Sequence, residues 1–141
     1  MRTILFTLLA VMAAYPALAI AADDPKPAEG QRVFEMRTYV AHEGKFDALK
    51  SRFRDHTLKL FEKHGITNIA YFVPRSKSDG SDKTLIYVLA YPSADAAKAS
   101  WEAFRADPEW KVAAAASEKD GKLVKEVISV FLDPTDFSPI K

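Results

Sequence analysis

The sequence predicts an α+β fold of the ferredoxin-like type, in which a β-α-β-β-α-β order builds an antiparallel four-stranded sheet with helices on one face. Four segments have the composition of strands, at residues 32–40, 67–73, 84–91 and 124–132, and the first of them has the two-residue alternation of a strand with two unlike faces. A long segment with helical spacing separates the first two, and an Asp-Pro helix start at Asp107 divides the second helical region. The order of these elements along the chain indicates the fold class.

The N-terminal segment lies outside this domain. Residues 1–21 have the pattern of a secretory signal peptide, because Arg2 precedes an apolar run and small residues near Ala19 or Ala21 form a cleavage site. The run is too short for a comfortable membrane span, and the chain has no cysteine to carry a lipid or a disulfide. Residues 22–31 have the Pro-rich, charged composition of a disordered leader. We therefore expect a periplasmic or secreted protein with no stable membrane anchor.

The mature chain is electrically balanced. Loss of residues 1–21 removes one basic residue, Arg2, so 20 Lys and Arg against 19 Asp and Glu become 19 of each. This balance argues against nucleic acid as a partner, because nucleic acid requires a strongly basic surface. Residues 32–141 are numerous enough to form one domain with its own hydrophobic core.

The first strand has two unlike faces. Alternation places an apolar set on one face, at Phe34, Met36, Thr38 and Val40. The other face begins with Val33 and carries a carboxylate, a guanidinium and a phenol in line, at Glu35, Arg37 and Tyr39. We expect the apolar set to meet the helices and the polar set to point away from them.

Residues 45–63 predict an amphipathic helix that ends at Gly65, since glycine commonly follows the last helical turn. Its buried stripe is expected to hold six residues: Phe46, Leu49, Phe53, Thr57, Leu60 and Phe61. His56 lies at the margin of this stripe and has two interpretations. It is either a general base or metal ligand that reaches a cavity, or a side chain hydrogen-bonded at the edge of the core.

The strand at residues 84–91 is apolar on both faces, with Leu85, Tyr87, Leu89 and Tyr91 on one and Ile86 and Val88 on the other. A sheet of this kind cannot leave either face in water. A symmetric dimer whose sheets pair face to face covers both, and we expect a cavity between the sheets into which the polar residues of the first strand point. The pattern therefore predicts a homodimeric α+β barrel.

The second helical region consists of two helices with separate N-caps. Ser93 caps a helix at residues 94–105, and Asp107 caps the next helix, with Pro108 at its first position. The two tryptophans of the chain, Trp101 and Trp110, flank this junction. They are interpreted as packing residues that lock the broken helix on the sheet, or alternatively as a surface that stacks an aromatic ligand.

Several motifs support a family resemblance: FEMRTY at residues 34–39, FEKHG at 61–65, WEAF at 101–104, DPEW at 107–110 and PTDFSP at 134–139. In their order and spacing these motifs resemble the NIPSNAP family, and the resemblance runs from about Val33 to the end of the chain. It implies a dimeric α+β barrel, in a superfamily that also includes cofactor-independent monooxygenases and haem-degrading proteins. It implies no defined reaction.

The candidate ligand-binding residues lie mainly on the polar face of the first strand. They are Glu35, Arg37 and Tyr39, together with Tyr87 from a neighbouring strand and His56 from the first helix. In a functional interpretation, Arg37 holds an anionic or carbonyl group and Tyr39 donates a hydrogen bond. In a structural interpretation, Glu35 and Arg37 satisfy each other in a buried pair that fixes the strand register.

Two hypotheses for function follow. The first is an exported homodimeric domain that binds a small molecule or a protein partner, and the alternative is a monooxygenase- or isomerase-like enzyme that acts without a cofactor on a small organic substrate. Neither calls for a metal or a cofactor, since the sequence has no cysteine, no histidine pair at helical spacing and no glycine-rich phosphate loop. An open cavity favours a small molecule, whereas a cavity filled by Tyr and Phe side chains favours a protein partner.

Overall fold

Four strands form one antiparallel sheet in the order β2-β3-β1-β4. Their bounds are β1 Val33–Ala41, β2 Thr67–Phe72, β3 Thr84–Tyr91 and β4 Val124–Leu132. The computed structural model describes residues 31–141, so the expected signal peptide and all but the last residue of the expected leader lie outside the described residues. The α+β class and the ferredoxin-like order are confirmed, because each strand falls within about one residue of its predicted position.

Helices cover one face of this sheet. Their bounds are α1 Phe46–Arg52, α2 Leu58–Lys63, α3 Ala94–Ala106 and α4 Pro108–Ser117, and a short 3-10 turn, Lys77–Asp79, lies between β2 and β3. The single helix predicted for residues 45–63 contains a π-helical turn, Phe53–Thr57, between α1 and α2. There the Thr57 hydroxyl donates a hydrogen bond to the Arg52 carbonyl, five residues earlier (3.2 Å). The six residues predicted for the buried stripe are all buried.

Both predicted N-caps are formed. The Ser93 hydroxyl accepts a hydrogen bond from the backbone N–H of Ala96 (3.1 Å), and a carboxylate oxygen of Asp107 accepts one from the N–H of Glu109 (2.7 Å). Pro108 occupies the first position of α4, where its missing N–H removes no helical hydrogen bond. The junction between α3 and α4 is therefore defined by side-chain chemistry that is readable in the sequence.

The core between sheet and helices is built mainly of aromatic rings. Phe53 packs edge-on against Tyr87 (5.1 Å between ring centroids), and Phe61 packs against Phe104 (4.8 Å). Tyr71 on β2 stacks on Tyr87 with a centroid separation of 5.4 Å. Such contacts contribute on the order of 1 kcal/mol each beyond the burial of their area. They join both parts of the first helical region to the middle of the sheet.

The register of the sheet reverses the expected orientation of β1. Arg37 pairs with Tyr87 on β3 and with Ser129 on β4, and Glu35 pairs with Leu89. Because cross-strand partners share a face, Glu35 and Arg37 lie on the same side as the fully buried Tyr87 and Leu89, which is the side that carries the helices. The prediction that the polar face points away from the helices is therefore wrong.

The opposite face of the sheet is apolar and, apart from a buried end at Phe34 and Ala90, largely uncovered in the isolated chain. Its most exposed large side chains are Met36, Phe72, Ile128, Val130 and Leu132, each at least 36% exposed. They come from β1, β2 and β4, and the register places them in adjacent rows with Thr38, Ile86 and Val88. Within residues 31–141, no helix is both long and apolar enough to cross a membrane.

Asp107 links α2 to the start of α4. Its carboxylate lies 2.9 Å from the Lys63 ammonium and 2.6 Å from Nε2 of His64, at the end of α2. Hydrogen bonds from Lys63 and His64 lower the pKa of Asp107 well below its ordinary range. The buried Asp107 side chain therefore combines a helix cap with an ionic contact between two helices.

We expect the substitution Asp107→Asn to preserve the cap and to remove the ionic contact. A carboxylate with a depressed pKa stabilises the folded state above its unfolded pKa of about 3.9, and this stabilisation is lost as the pH falls through the folded pKa. The variant should therefore melt roughly 4 °C below the wild type at pH 7, and the difference should shrink below about pH 4. Thermal unfolding followed by circular dichroism between pH 7 and pH 2 measures this difference. A difference in melting temperature that is the same at every pH would contradict the ionic contact.

Candidate functional site

A cleft of about 720 Å³ opens between α3 and the helix-side face of β1 and β4. One wall is a single stripe of α3, formed by Ala94, Lys98, Trp101 and Arg105. The floor and the other wall come from the strands, through Val33, Glu35, Arg37, Ser129, Phe131 and Leu132, with Asp133 just beyond β4. The cleft exists because helix-side residues of β4 remain exposed, including Val127 at 46% and Phe131 at 54%.

The Glu35 carboxylate forms the centre of the cleft floor. It accepts four hydrogen bonds, from Arg37 Nη1 (2.5 Å), Tyr91 Oη (2.6 Å), Trp101 Nε1 (2.8 Å) and Ser129 Oγ (2.6 Å). These donors come from β1, β3, α3 and β4, so one side chain joins every element that surrounds the cleft. Glu35 is only 1% exposed, yet each of its acceptor positions is satisfied.

Hydrogen bonding keeps Glu35 ionised despite its burial. Burial alone raises the pKa of Glu35, but hydrogen bonds from Ser129 and Tyr91, the charge of Arg37 and the Trp101 indole together hold its pKa below the ordinary value. Burial and the bond to Glu35 raise the pKa of Tyr91, which therefore remains a hydroxyl donor. Glu35 is accordingly a fixed anion rather than a group poised to accept a proton.

Arg37 lies beside Glu35 and faces the cleft with part of its guanidinium. Its Nε donates to the Tyr87 hydroxyl (3.1 Å), and its Nη2 donates weakly to the Tyr39 hydroxyl (3.4 Å). The guanidinium carbon lies 4.4 Å from the centroid of the Trp101 ring, which is a cation–π contact. With the bond to Glu35, three of five N–H groups have partners among the described residues. The side chain is 16% exposed and lines the cleft.

The structure brings four of the five candidate residues together. Tyr39 and Tyr87 lie beneath Arg37 and orient it, without lining the cleft themselves. Glu35 and Arg37 form its floor. His56 lies apart, with an exposed side chain on the π-helical turn, and it does not line the cleft.

The candidate residues from the sequence did not include Lys98 and Arg105 of α3 or Ser129 of β4, which line the cleft. Lys98, Trp101 and Arg105 have the i, i+3, i+7 spacing of one helix face, and this spacing was a signal available in the sequence. Trp101 packs edge-on against Phe61 (5.3 Å), as its packing interpretation predicts, and it also lines the cleft. Ser129 gave no comparable signal, since a serine in a strand has no distinctive spacing.

Metal binding finds no support in the described part of the chain, because residues 31–141 contain no group of three or more histidine, aspartate and glutamate side chains that could hold an ion.

A second, smaller depression of about 250 Å³ lies near β2 and is lined mainly by apolar groups, including Phe53, Leu58 and Tyr71, with Arg54 beside them. Its surface offers hardly any polar partner for a ligand. The larger cleft is the better candidate site.

Comparison with known proteins identifies the family. The family model described as NIPSNAP matches residues 34–139. The chain belongs to the NIPSNAP family. The match includes every residue that lines the cleft except Val33. Among curated proteins, no significant match to the chain is found.

Solved structures share the fold of this NIPSNAP chain. A NIPSNAP family protein of unknown function from Agrobacterium tumefaciens is 20% identical, with a TM-score of 0.68 over 83% of this chain and 100% of that one. An uncharacterized NIPSNAP domain protein from Burkholderia xenovorans is 24% identical, with a TM-score of 0.63 over 76% and 98%. SnoaB, a cofactor-independent oxygenase from Streptomyces nogalater, is 14% identical, with a TM-score of 0.51 over 77% and 98%. These likenesses show the fold.

The two partners of the buried pair are expected to differ in their effect on stability. Glu35→Gln leaves the Arg37 charge with neutral tyrosines only, whereas Arg37→Met leaves Glu35 with three hydrogen-bond donors. We expect Glu35→Gln to cost about 3 kcal/mol or more of unfolding free energy, and Arg37→Met to cost roughly half as much. Urea denaturation of both NIPSNAP variants measures the difference. A larger loss of unfolding free energy in Arg37→Met than in Glu35→Gln would show that Glu35 depends on Arg37 more than Arg37 depends on Glu35.

Proposed function

We propose that this NIPSNAP protein binds a small organic molecule in the cleft, with a carboxylate or carbonyl oxygen of the ligand at Arg37. The observation that carries the proposal is the position of Arg37, a cation with unused donors in the floor of an open cleft of about 720 Å³. This volume lies in the range typical of small-molecule sites.

The buried pair and the binding site are compatible in this proposal. Glu35 holds one Nη of Arg37, while Tyr87 and Tyr39 hold the other side of the guanidinium. A guanidinium fixed in this way loses little conformational freedom when a ligand arrives, which favours affinity. The structural interpretation of Glu35 and Arg37 therefore supplies the preorganisation on which the functional interpretation depends.

The residues of the cleft favour binding over catalysis. A general base needs an acceptor position directed at the substrate, and Glu35 has all of its positions occupied by protein donors. Its lowered pKa further weakens it as a base. His56, the other candidate base, lies outside the cleft. Oxygenase or isomerase activity is therefore the second candidate, and the likeness to SnoaB supports it at the level of the fold.

The proposal is tested by a fragment screen with ligand-observed NMR on wild-type protein, followed by titration of each hit against two variants. We expect carboxylate or carbonyl fragments to bind, and Arg37→Met to weaken them about tenfold or more, because a charge-assisted hydrogen bond is lost. Arg54→Met is the matched control, since Arg54 is exposed beside the smaller depression. Hits of equal affinity for wild type and Arg37→Met, or a screen without hits, would overturn the proposal.

We propose in addition that two copies pair through the uncovered sheet face to form the barrel. The proposal is supported by the apolar rows that include Met36, Phe72, Ile128 and Val130, because a contiguous exposed patch of large apolar side chains is typical of an interface. A second copy offers the same patch in a two-fold arrangement. In this assembly the cleft of each protomer faces away from the pairing surface.

The dimer proposal predicts that Ile128→Asp yields monomers, because it places a carboxylate in the centre of the apolar face. Val127→Asp is the matched control: Val127 is on the same strand and nearly as exposed, 46% against 47%, but its side chain points to the helix side. Size-exclusion chromatography with light scattering at micromolar concentration measures the mass. A monomeric wild type, or equal behaviour of the two variants, would rule out pairing through this face.

The proposed cellular location is the periplasm or the extracellular space. It is supported by the signal-peptide pattern of residues 1–21.

A further inference from the structure

We infer that the ligand of the cleft is a planar ring compound with a carboxylate group, whose ring packs against Trp101 and Phe131, whose carboxylate binds at Arg37, and whose negative charge is attracted by Lys98 and Arg105 at the rim. The inference rests on the proposed function and deepens it by naming the class of ligand.

The charges that line the cleft do not cancel. Glu35 neutralises Arg37 in the floor, which leaves two cations at the rim, Lys98 and Arg105, against one carboxylate, Asp133. Among the described residues, neither Lys98 nor Arg105 has an ion pair or a side-chain hydrogen bond, although other exposed lysines such as Lys63 and Lys122 do. The rim therefore carries an unbalanced positive charge, which favours an anionic ligand over a neutral one.

The spacing of the two cations on α3 suits a ligand with an apolar body. Lys98 and Arg105 are two helical turns apart, about 10 Å along the axis, and Trp101 lies between them on the same face. A carboxylate bound at Arg37, whose guanidinium carbon lies 4.4 Å from the Trp101 ring centroid, leaves the rest of the molecule beside this indole and near both cations. The Nε1 bond from Trp101 to Glu35 fixes this indole, so a ring that packs against it meets a rigid surface.

The opposite wall also presents an aromatic group. Phe131 on β4 is 54% exposed and lines the cleft, which is unusual for a large apolar side chain on the face that carries the core. Trp101 and Phe131 thus stand on different walls of one cavity. A flat ring between them gains aromatic contacts of order 1 kcal/mol per pair beyond the area that it buries. A saturated chain of the same size lacks this gain.

Isothermal titration calorimetry with three probes tests the inference on the wild-type protein. The probes are 2-naphthoate, its neutral analogue 2-naphthamide, and octanoate, which has the charge without the ring. We expect 2-naphthoate to bind about fivefold or more tightly than either analogue at low salt, with the advantage over the amide declining as salt is added. Lys98→Ala and Arg105→Ala should each weaken 2-naphthoate about threefold, as expected for exposed charges, and leave 2-naphthamide unchanged. Lys111→Ala, an exposed cation of α4 outside the cleft, is the matched control.

The outcomes separate this inference from the proposed function. Equal affinity for 2-naphthoate and 2-naphthamide overturns the role of the rim charges, and equal affinity for octanoate overturns the role of the ring. If none of the probes binds while fragment hits remain sensitive to Arg37→Met, the ligand class is wrong and the proposed binding stands. If fragment hits are absent as well, both are overturned.

Discussion

The rest of the structure depends on the hydrogen bonds that the buried Glu35 carboxylate accepts. It is almost fully buried, it carries a charge, and it accepts hydrogen bonds from two strands other than its own and from α3 as well as from Arg37. An isolated buried carboxylate is costly, so these donors must be in place whenever the chain is folded. The same requirement fixes the Trp101 indole and the Arg37 guanidinium where a ligand meets them. Stability and the proposed binding thus depend on one set of hydrogen bonds.

Much of the fold was predictable because local patterns decide it. Runs rich in apolar residues located β3 and β4, and the side-chain oxygens of Ser93 and Asp107 located the starts of α3 and α4. Alternation nevertheless divides a strand into two sets without stating which set faces the helices. That choice depends on the register with β3, where the large Tyr87 and Leu89 require the helix side. The expectation that the apolar set of β1 meets the helices therefore assigned the polar residues of β1 to the wrong face.

The site was predictable in part for a related reason. Glu35, Arg37 and Tyr39 are close in sequence, so their common face was evident, whereas Ser129 lies 94 residues after Glu35 and joins it only through strand pairing. His56 lay at the margin of a helical stripe, where a small rotation decides between core and solvent, and the π-helical turn settles its position on the outside. Local periodicity does not reveal which residues from distant elements of the chain come together in a binding site.

The way in which the cleft walls are joined has a consequence for selectivity. Trp101 of α3 and Ser129 of β4 both bond to Glu35, so the two walls are held at a fixed separation at the floor. At the mouth the walls end in long, exposed side chains such as Lys98 and Arg105, which can adopt many conformations. If the cleft binds as proposed, this shape would discriminate strictly between functional groups that reach its base and would tolerate variation in the remainder of the molecule. Such a site suits a set of related compounds that share one chemical end.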